Sequence, residues 1–150
     1  MRIEPFSVER SHPQYEKLRY QYSRRIEKQI AKAIQGEWTG TGTCRDHCEF
    51  DIFLDTEYGK LALEIKTIFS ESPRKDVRPN GKRQRIWLKE HPEYIPFVIA
   101  FDATIGGNFV FIKRGCSRAT IESMRHVRIC RIVNYLTSCL RWKISGEKRT

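Results

Sequence analysis

No stretch of this chain is apolar for long enough to span a bilayer, which takes about 20 consecutive apolar residues. The start, Met1-Arg2-Ile3-Glu4-Pro5, also lacks the apolar stretch of a secretory leader, so an intracellular, non-secreted protein is expected. Histidine is scarce: His12, His47, His91 and His126 are scattered and give little support to a histidine-based nuclease or metal site. The five cysteines (44, 48, 116, 130 and 139) are an odd set, and disulfides are not expected in an intracellular chain. Cys44-Arg45-Asp46-His47-Cys48 has the look of half a zinc site. No second ligand pair follows at the usual spacing, since the next cysteine is Cys116, so buried reduced thiols are the better expectation. Internal repeats, low-complexity tracts and an interdomain linker are missing too, so 150 residues should form one domain with a sizeable core.

Acid is also in short supply. Against 28 Lys and Arg there are only 18 Asp and Glu, a net charge of +10. Such an excess favours a polyanionic partner, nucleic acid first. A membrane surface is the weaker choice, because no clean basic amphipathic helix is present.

The pattern that remains is layered. Leu18, Tyr22, Ile26, Ile30, Ala33 and Ile34 fall at helical spacing and predict a helix over 14–35, stopped by Gly36. Glu37 to Thr43 reads as a short glycine-containing strand or turn. Apolar runs at 50–54 and 61–65 flank Thr56-Glu57-Tyr58-Gly59 and predict a β-hairpin. Residues 71–82 hold strong breakers and read as a loop, 83–90 as a helix, 95–101 as a strand buried on both faces, and 109–112 as a further strand. The last third has two parses. One is a Ser117-capped helix to Met124, an alternating strand over 127–132 and a helix over 134–142; the other is one long helix over 117–142. Helices and strands in this order imply an α/β domain, a mixed β-sheet flanked by helices, with a core of about 14–112 and a basic C-terminal extension over 113–150.

Three residues stand out against this background. Asp51, Glu64 and Lys66 sit inside apolar strand-like runs, Glu49-Phe50-Asp51-Ile52-Phe53-Leu54 and Leu61-Ala62-Leu63-Glu64-Ile65-Lys66-Thr67. Charge there is costly unless a metal ion or a phosphate compensates it. If the hairpin turn centres between Glu57 and Tyr58, Asp51 lies opposite Glu64, and Lys66, two residues on, shares their face. Two adjacent carboxylates repel each other, and a divalent cation turns that repulsion into coordination. Hard oxygen donors suit magnesium, with manganese as its substitute. Lys66 would then orient the attacking water and offset charge at phosphorus.

An acid, a variable gap and then acid-x-lysine on the next strand resembles the active site of the PD-(D/E)XK nuclease superfamily, with Asp51 and Glu64-Ile65-Lys66 in those places. Phe50 stands where the proline that names the motif would be. The resemblance covers roughly residues 20–102. It implies a restriction-endonuclease-like fold with an αβββαβ core and a metal-dependent endodeoxyribonuclease of resolvase, restriction or homing type. Asp51, Glu64 and the Ile65 carbonyl would hold the ion. It further implies duplex or branched DNA as partner and a symmetric dimer, one site per strand. Ile26-Glu27-Lys28-Gln29-Ile30 resembles the helix opening of archaeal Holliday-junction resolvases, which makes Glu27 an auxiliary acid, with Glu16 as its competitor. Other readings are a non-catalytic nucleic-acid-binding module on the same scaffold and an RNA-directed nuclease.

Around this motif, Thr39-Gly40-Thr41-Gly42-Thr43 reads as a glycine-eased turn and lacks a phosphate-loop fingerprint. Arg74, Lys75, Arg78, Lys82, Arg83, Arg85 and Lys89 crowd the segment after the second strand and are placed to contact phosphates. Gln84 lies among them, where relatives carry a helix glutamine near the site. Ten further basic residues between Lys113 and Arg149 face only Glu122 and Glu147, which marks a second basic surface. Trp38, Trp87, Trp142, Tyr15, Tyr20 and Tyr22 are expected in packing roles.

Overall fold

The stripe Tyr22, Ile26, Ile30 and Ile34 recurs every fourth residue and forms the buried face of helix α1, Tyr15–Ile34. Gln35 closes that helix in the left-handed conformation (φ 57°), and Gly36 turns the chain into the sheet. A Cβ on Gly36 would lie 2.5 Å from Ile52 Cγ2, so a side chain there would push the helix end off the strand it rests on. The computed structural model describes residues 1–41 and 49–148. The candidate zinc residues Cys44, His47 and Cys48, and Gly42 and Thr43, lie outside the described residues.

After α1 come β1 (Glu37–Trp38), β2 (Ile52–Thr56), β3 (Gly59–Ile68), β4 (Asp76–Val77), helix α2 (Gly81–Glu90), β5 (Tyr94–Asp102), β6 (Phe109–Arg114), β7 (Ala119–Thr120), β8 (Arg125–Arg128) and helix α3 (Ile132–Lys148). Six strands form one sheet in the order β1-β2-β3-β5-β6-β8, and β4 pairs with β7 in a separate two-stranded sheet. All pairs are antiparallel except β3 with β5, between which α2 makes the crossover. The architecture is thus mixed α/β, with helices against a largely antiparallel sheet. No helix among the described residues is long and apolar enough to cross a membrane.

The hairpin has the expected register. Thr56 pairs with Gly59 and Ile52 with Leu63, so the turn centres between Glu57 and Tyr58. Thr56 Oγ1 accepts from the Tyr58 amide (3.2 Å) and donates to the Gly59 carbonyl (2.8 Å), and Gly59 takes a φ of +148° that favours glycine. Leu61 to Ile65 are buried without a break because β3 is central and covered on both faces. One face carries Ile52, Leu54, Leu61, Leu63, Phe97 and Ile99 against α1 and α3; the other carries Ile68, Val98 and Ala100 against Val77, Ile121 and Met124. Each such side chain, when fully buried, stabilises the fold by about 2 kcal/mol.

Several expectations change. Residues 117–124 are a two-residue strand and a short 3-10 turn, not a Ser117-capped helix, because Ala119 and Thr120 pair with β4. The alternating strand stops at Arg128, helix α3 begins at Ile132, and the single helix over 117–142 does not form. The loop over 71–82 contains β4. The segment after residue 112 is no appendage: Val127, Ile129, Ile132, Leu136 and Leu140 sit in the same core as α1, as does Ile3 at the other end. Of the described cysteines Cys116 is buried, but Cys130 is exposed and Cys139 half-buried.

Candidate functional site

Strand β2 begins one residue after Asp51, whereas β3 runs on through Lys66 to Ile68. The mismatch leaves a notch in the sheet. Thr39 holds its rim: the Thr39 amide donates to the Asp51 carbonyl (2.9 Å), and Thr39 Oγ1 donates to the carbonyls of Phe50 (2.8 Å) and Asp51 (3.1 Å). The Asp51 amide still reaches the Leu63 carbonyl at 2.9 Å. With its main chain fixed this way, Asp51 reaches across the notch, and its Oδ2 accepts from the Ile65 amide at 2.7 Å. In a strand the amide and carbonyl of one residue point toward the same neighbour, so the Ile65 carbonyl also faces the notch.

Glu64 and Lys66, two apart on β3, share a face, and Lys66 Nζ lies 3.3 Å from Glu64 Oε1. Glu27 follows the buried Ile26 on α1, and its Oε1 accepts from Trp38 Nε1 at 3.3 Å. Glu27, Asp51, Glu64, Ile65 and Lys66 all line one cavity of about 440 Å³. Arg19, Tyr20 and Glu16 line it as well, with Glu16 engaged by Arg19 at 3.7 Å. Tyr20, expected in packing, is 62% exposed here, whereas Tyr22 is buried with its hydroxyl on the Glu4 carbonyl.

The electrostatics are those of an under-compensated acid cluster. Burial pushes the Glu64 carboxyl up to about 8; the Asp51 charge adds to the rise and Lys66 opposes it. Glu27 is pushed up to about 7 by burial and then by Asp51. Burial also raises Asp51, against the Ile65 amide and the charges of Lys66 and Arg24. The carboxyls of Glu27 and Asp51 act on each other's titration. Arg24 is held over Trp38 (5.1 Å to the ring centroid) and bonded to the Gly40 carbonyl, so it serves as a fixed counter-charge at the rim.

Glu64 is held from below. Gln84 on α2 is fully buried, and its Nε2 donates to Glu64 Oε2 (2.7 Å) and to the Glu49 carbonyl (2.9 Å). Gln84 Oε1 has no hydrogen-bond partner among the described residues. Helix α2 is pinned by Trp87, whose ring packs on Phe50 and Phe53 (5.5 Å each), on Tyr94 (5.2 Å) and on His91 (4.0 Å). Gln84 is therefore a positioning residue for Glu64 and not the nucleic-acid contact expected of it.

The other phosphate candidates divide. Lys75 Nζ bonds Asp102 Oδ2 (2.6 Å) and Thr104 Oγ1 (2.9 Å), and its side chain is only 15% exposed, so it is committed to an internal ion pair. Arg74 and Arg78 both sit 3.4 Å from Asp76, joined by Arg118 at 3.3 Å. Lys82, Arg83 and Arg85 are exposed on α2 and face solvent. Sequence reasoning missed the roles of Trp38, Thr39 and Asp102. Only Thr39 carried a signal, as a small hydroxyl residue where the chain leaves β1.

Among the described residues no three His, Cys, Asp or Glu side chains form a ready cage for a metal ion. Asp51 and Glu64, with the Ile65 carbonyl, make a smaller set of hard oxygen donors. That set fits a cation such as magnesium, which keeps several of its own waters. The sequence matches no protein-family model, and no curated protein matches it.

Proposed function

We propose that this chain is a metal-dependent endodeoxyribonuclease of restriction-endonuclease-like architecture, acting inside the cell on duplex or branched DNA. The observation that carries this reading is the meeting of Asp51, Glu64 and Lys66 in one solvent-reached notch, two raised carboxylates beside a single ammonium. The element order α1, β1, β2, β3, β4, α2, β5, with β3 and β5 parallel, supports it.

Asp51 Oδ1, Glu64 and the Ile65 carbonyl would hold Mg2+ or Mn2+. Bound there, the ion would supply Lewis acidity at the phosphate and offset the charge of the acid pair. Lys66 hydrogen-bonds the attacking water and the phosphoryl oxygens as charge builds on them. The water oxygen attacks phosphorus in line as the opposite P–O ester bond breaks, and the departing sugar oxygen takes up a proton from solvent. Glu27, pushed up to about 7, takes the proton. Gln84 and the Ile65 amide keep the two carboxylates in place throughout. Cutting both strands calls for a symmetric dimer.

The test uses supercoiled plasmid, a four-way junction and a structured RNA, each with Mg2+, Mn2+ or EDTA. The reading expects metal-dependent cutting of DNA that Glu64→Ala and Lys66→Ala abolish while the variants remain folded. Tight DNA binding with no cutting, unchanged by either substitution, would make the chain a binding module. Cutting of RNA alone would redirect the substrate.

A further inference from the structure

The far edge of the sheet holds a second basic surface of a different kind. Strand β8 is the outermost strand on the side away from β1, so one backbone edge of it is unpaired within the sheet. Between that edge and α3 runs a groove of about 430 Å³, lined by Arg125, His126, Arg128, Arg131, Phe109 and Tyr135 among others, with no Asp or Glu in its walls. Arg125, Arg128 and Arg131 are exposed, and none forms an ion pair with a carboxylate among the described residues. The arginines around Asp76, by contrast, share its carboxylate.

Charge on an edge strand can serve merely to block strand-to-strand aggregation. Two features go beyond that role. The charges line a concavity, and its lining includes a ring pair: the exposed His126 ring stacks on the half-buried Phe109 (4.3 Å between centroids, 28° between planes), and the Arg128 guanidinium lies 5.7 Å from the Phe109 centroid. Cationic walls beside an exposed ring backed by a second are what a sugar-phosphate backbone with unstacked bases can use, and stacking is open to every base. An acidic peptide would use the charge but not the rings. A duplex keeps its base faces inside, out of reach of those rings.

We propose that the β8–α3 groove binds single-stranded nucleic acid, with Arg125, Arg128 and Arg131 on its phosphates and the His126–Phe109 stack under a base. Such a site would hold an unpaired strand or flap on the same molecule whose notch lies between β2 and β3. It does not depend on hydrolysis.

The experiment is fluorescence anisotropy of a labelled oligothymidine in EDTA, which silences the acid cluster, across a salt series. In the R125S/R128S/R131S variant, affinity should fall about ten-fold or more and the slope of log K against log salt should shrink by about 2, since each single-strand phosphate contributes about 0.7. K17S/K32S/K60S, which removes the same charge from exposed positions elsewhere, should lose far less. His126→Ala should weaken binding and leave the salt slope unchanged. Melting curves confirm that each variant is folded. Equal losses in both triple variants would overturn the proposal. So would competition by polyglutamate as effective as that by unlabelled oligothymidine, or loss of duplex binding with oligothymidine binding intact.

Discussion

Two buried carboxylates on neighbouring strands, Glu64 of β3 and Asp102 of β5, meet opposite fates. They are almost equally hidden, at 8% and 7% exposure. Asp102 receives a full set of partners: Lys75 at 2.6 Å on one oxygen, and the Thr104 hydroxyl (2.6 Å) and amide (3.0 Å) on the other. Glu64 has Gln84 and a longer contact to the half-exposed Lys66, but it also faces Asp51 and Glu27. A carboxylate buried with a dedicated cation is a structural tie, here one that fastens the 70–80 loop to the end of β5. A carboxylate buried among other carboxylates is held at a cost that only a proton or a cation relieves. The proposed function places its chemistry at the second kind.

The sharpest way to break this contrast is by activity. Glu64→Gln should reduce DNA cleavage by about 10³-fold, the scale of losing one electrostatic contributor at a reacting centre. Asp102→Asn should leave the rate per folded molecule near wild type. A plasmid-nicking time course with both proteins at equal folded concentration decides it. Stability should move the other way. Lys75→Met strands the buried Asp102 charge and should cost about 3 kcal/mol in urea unfolding. Glu64→Gln relieves repulsion and should cost nothing or raise the midpoint. If both variants lose stability alike, the two carboxylates are not different in kind.

The Glu64 half of this contrast was legible in the chain. The hairpin register followed from one turn of defined length: without a bulge, counting outward from Glu57 and Tyr58 puts Ile52 against Leu63, as observed, and Asp51 one step further, toward Glu64. The helix stripe of α1 and the unbroken apolar run of β5 were equally plain. Partners distant in sequence were not. Gln84 meets Glu64 across 20 residues and Lys75 meets Asp102 across 27, and no local period marks either pairing. Lys75 therefore read as one more member of a basic run. Residues 119–120 are too short for any period to show, and they are extended only because β4 is there to pair with them. Leu136 and Leu140 carried the helical signal of α3, but nothing local said that α3 would share the core of α1.

The contrast can be sharpened further by titration. A carboxyl whose folded pKa is raised above its unfolded value near 4.5 binds more protons in the native state. Its contribution to stability is complete below that unfolded value and is lost as pH rises through the folded one. With Glu64 near 8 and Glu27 near 7, the metal-free protein should lose melting temperature steadily from about pH 5 to about pH 8. Millimolar Mg2+ or Mn2+ should restore part of that loss at pH 8 and little at pH 5, because a cation competes only with the protons already gone. Glu64→Gln should flatten the slope and blunt the response to cation together.

Gln84→Ala gives the smallest effect and the most specific one. It removes the donor that stabilises the charged form of Glu64, so the Glu64 titration should move still higher and the pH dependence of cleavage should move with it. The rate at a fixed pH near 7 should fall about ten-fold, while DNA affinity in EDTA stays unchanged. A purely structural role for Gln84 would lower stability and leave the pH profile where it was, so the profile is the measurement that decides whether α2 reaches the chemistry through Glu64.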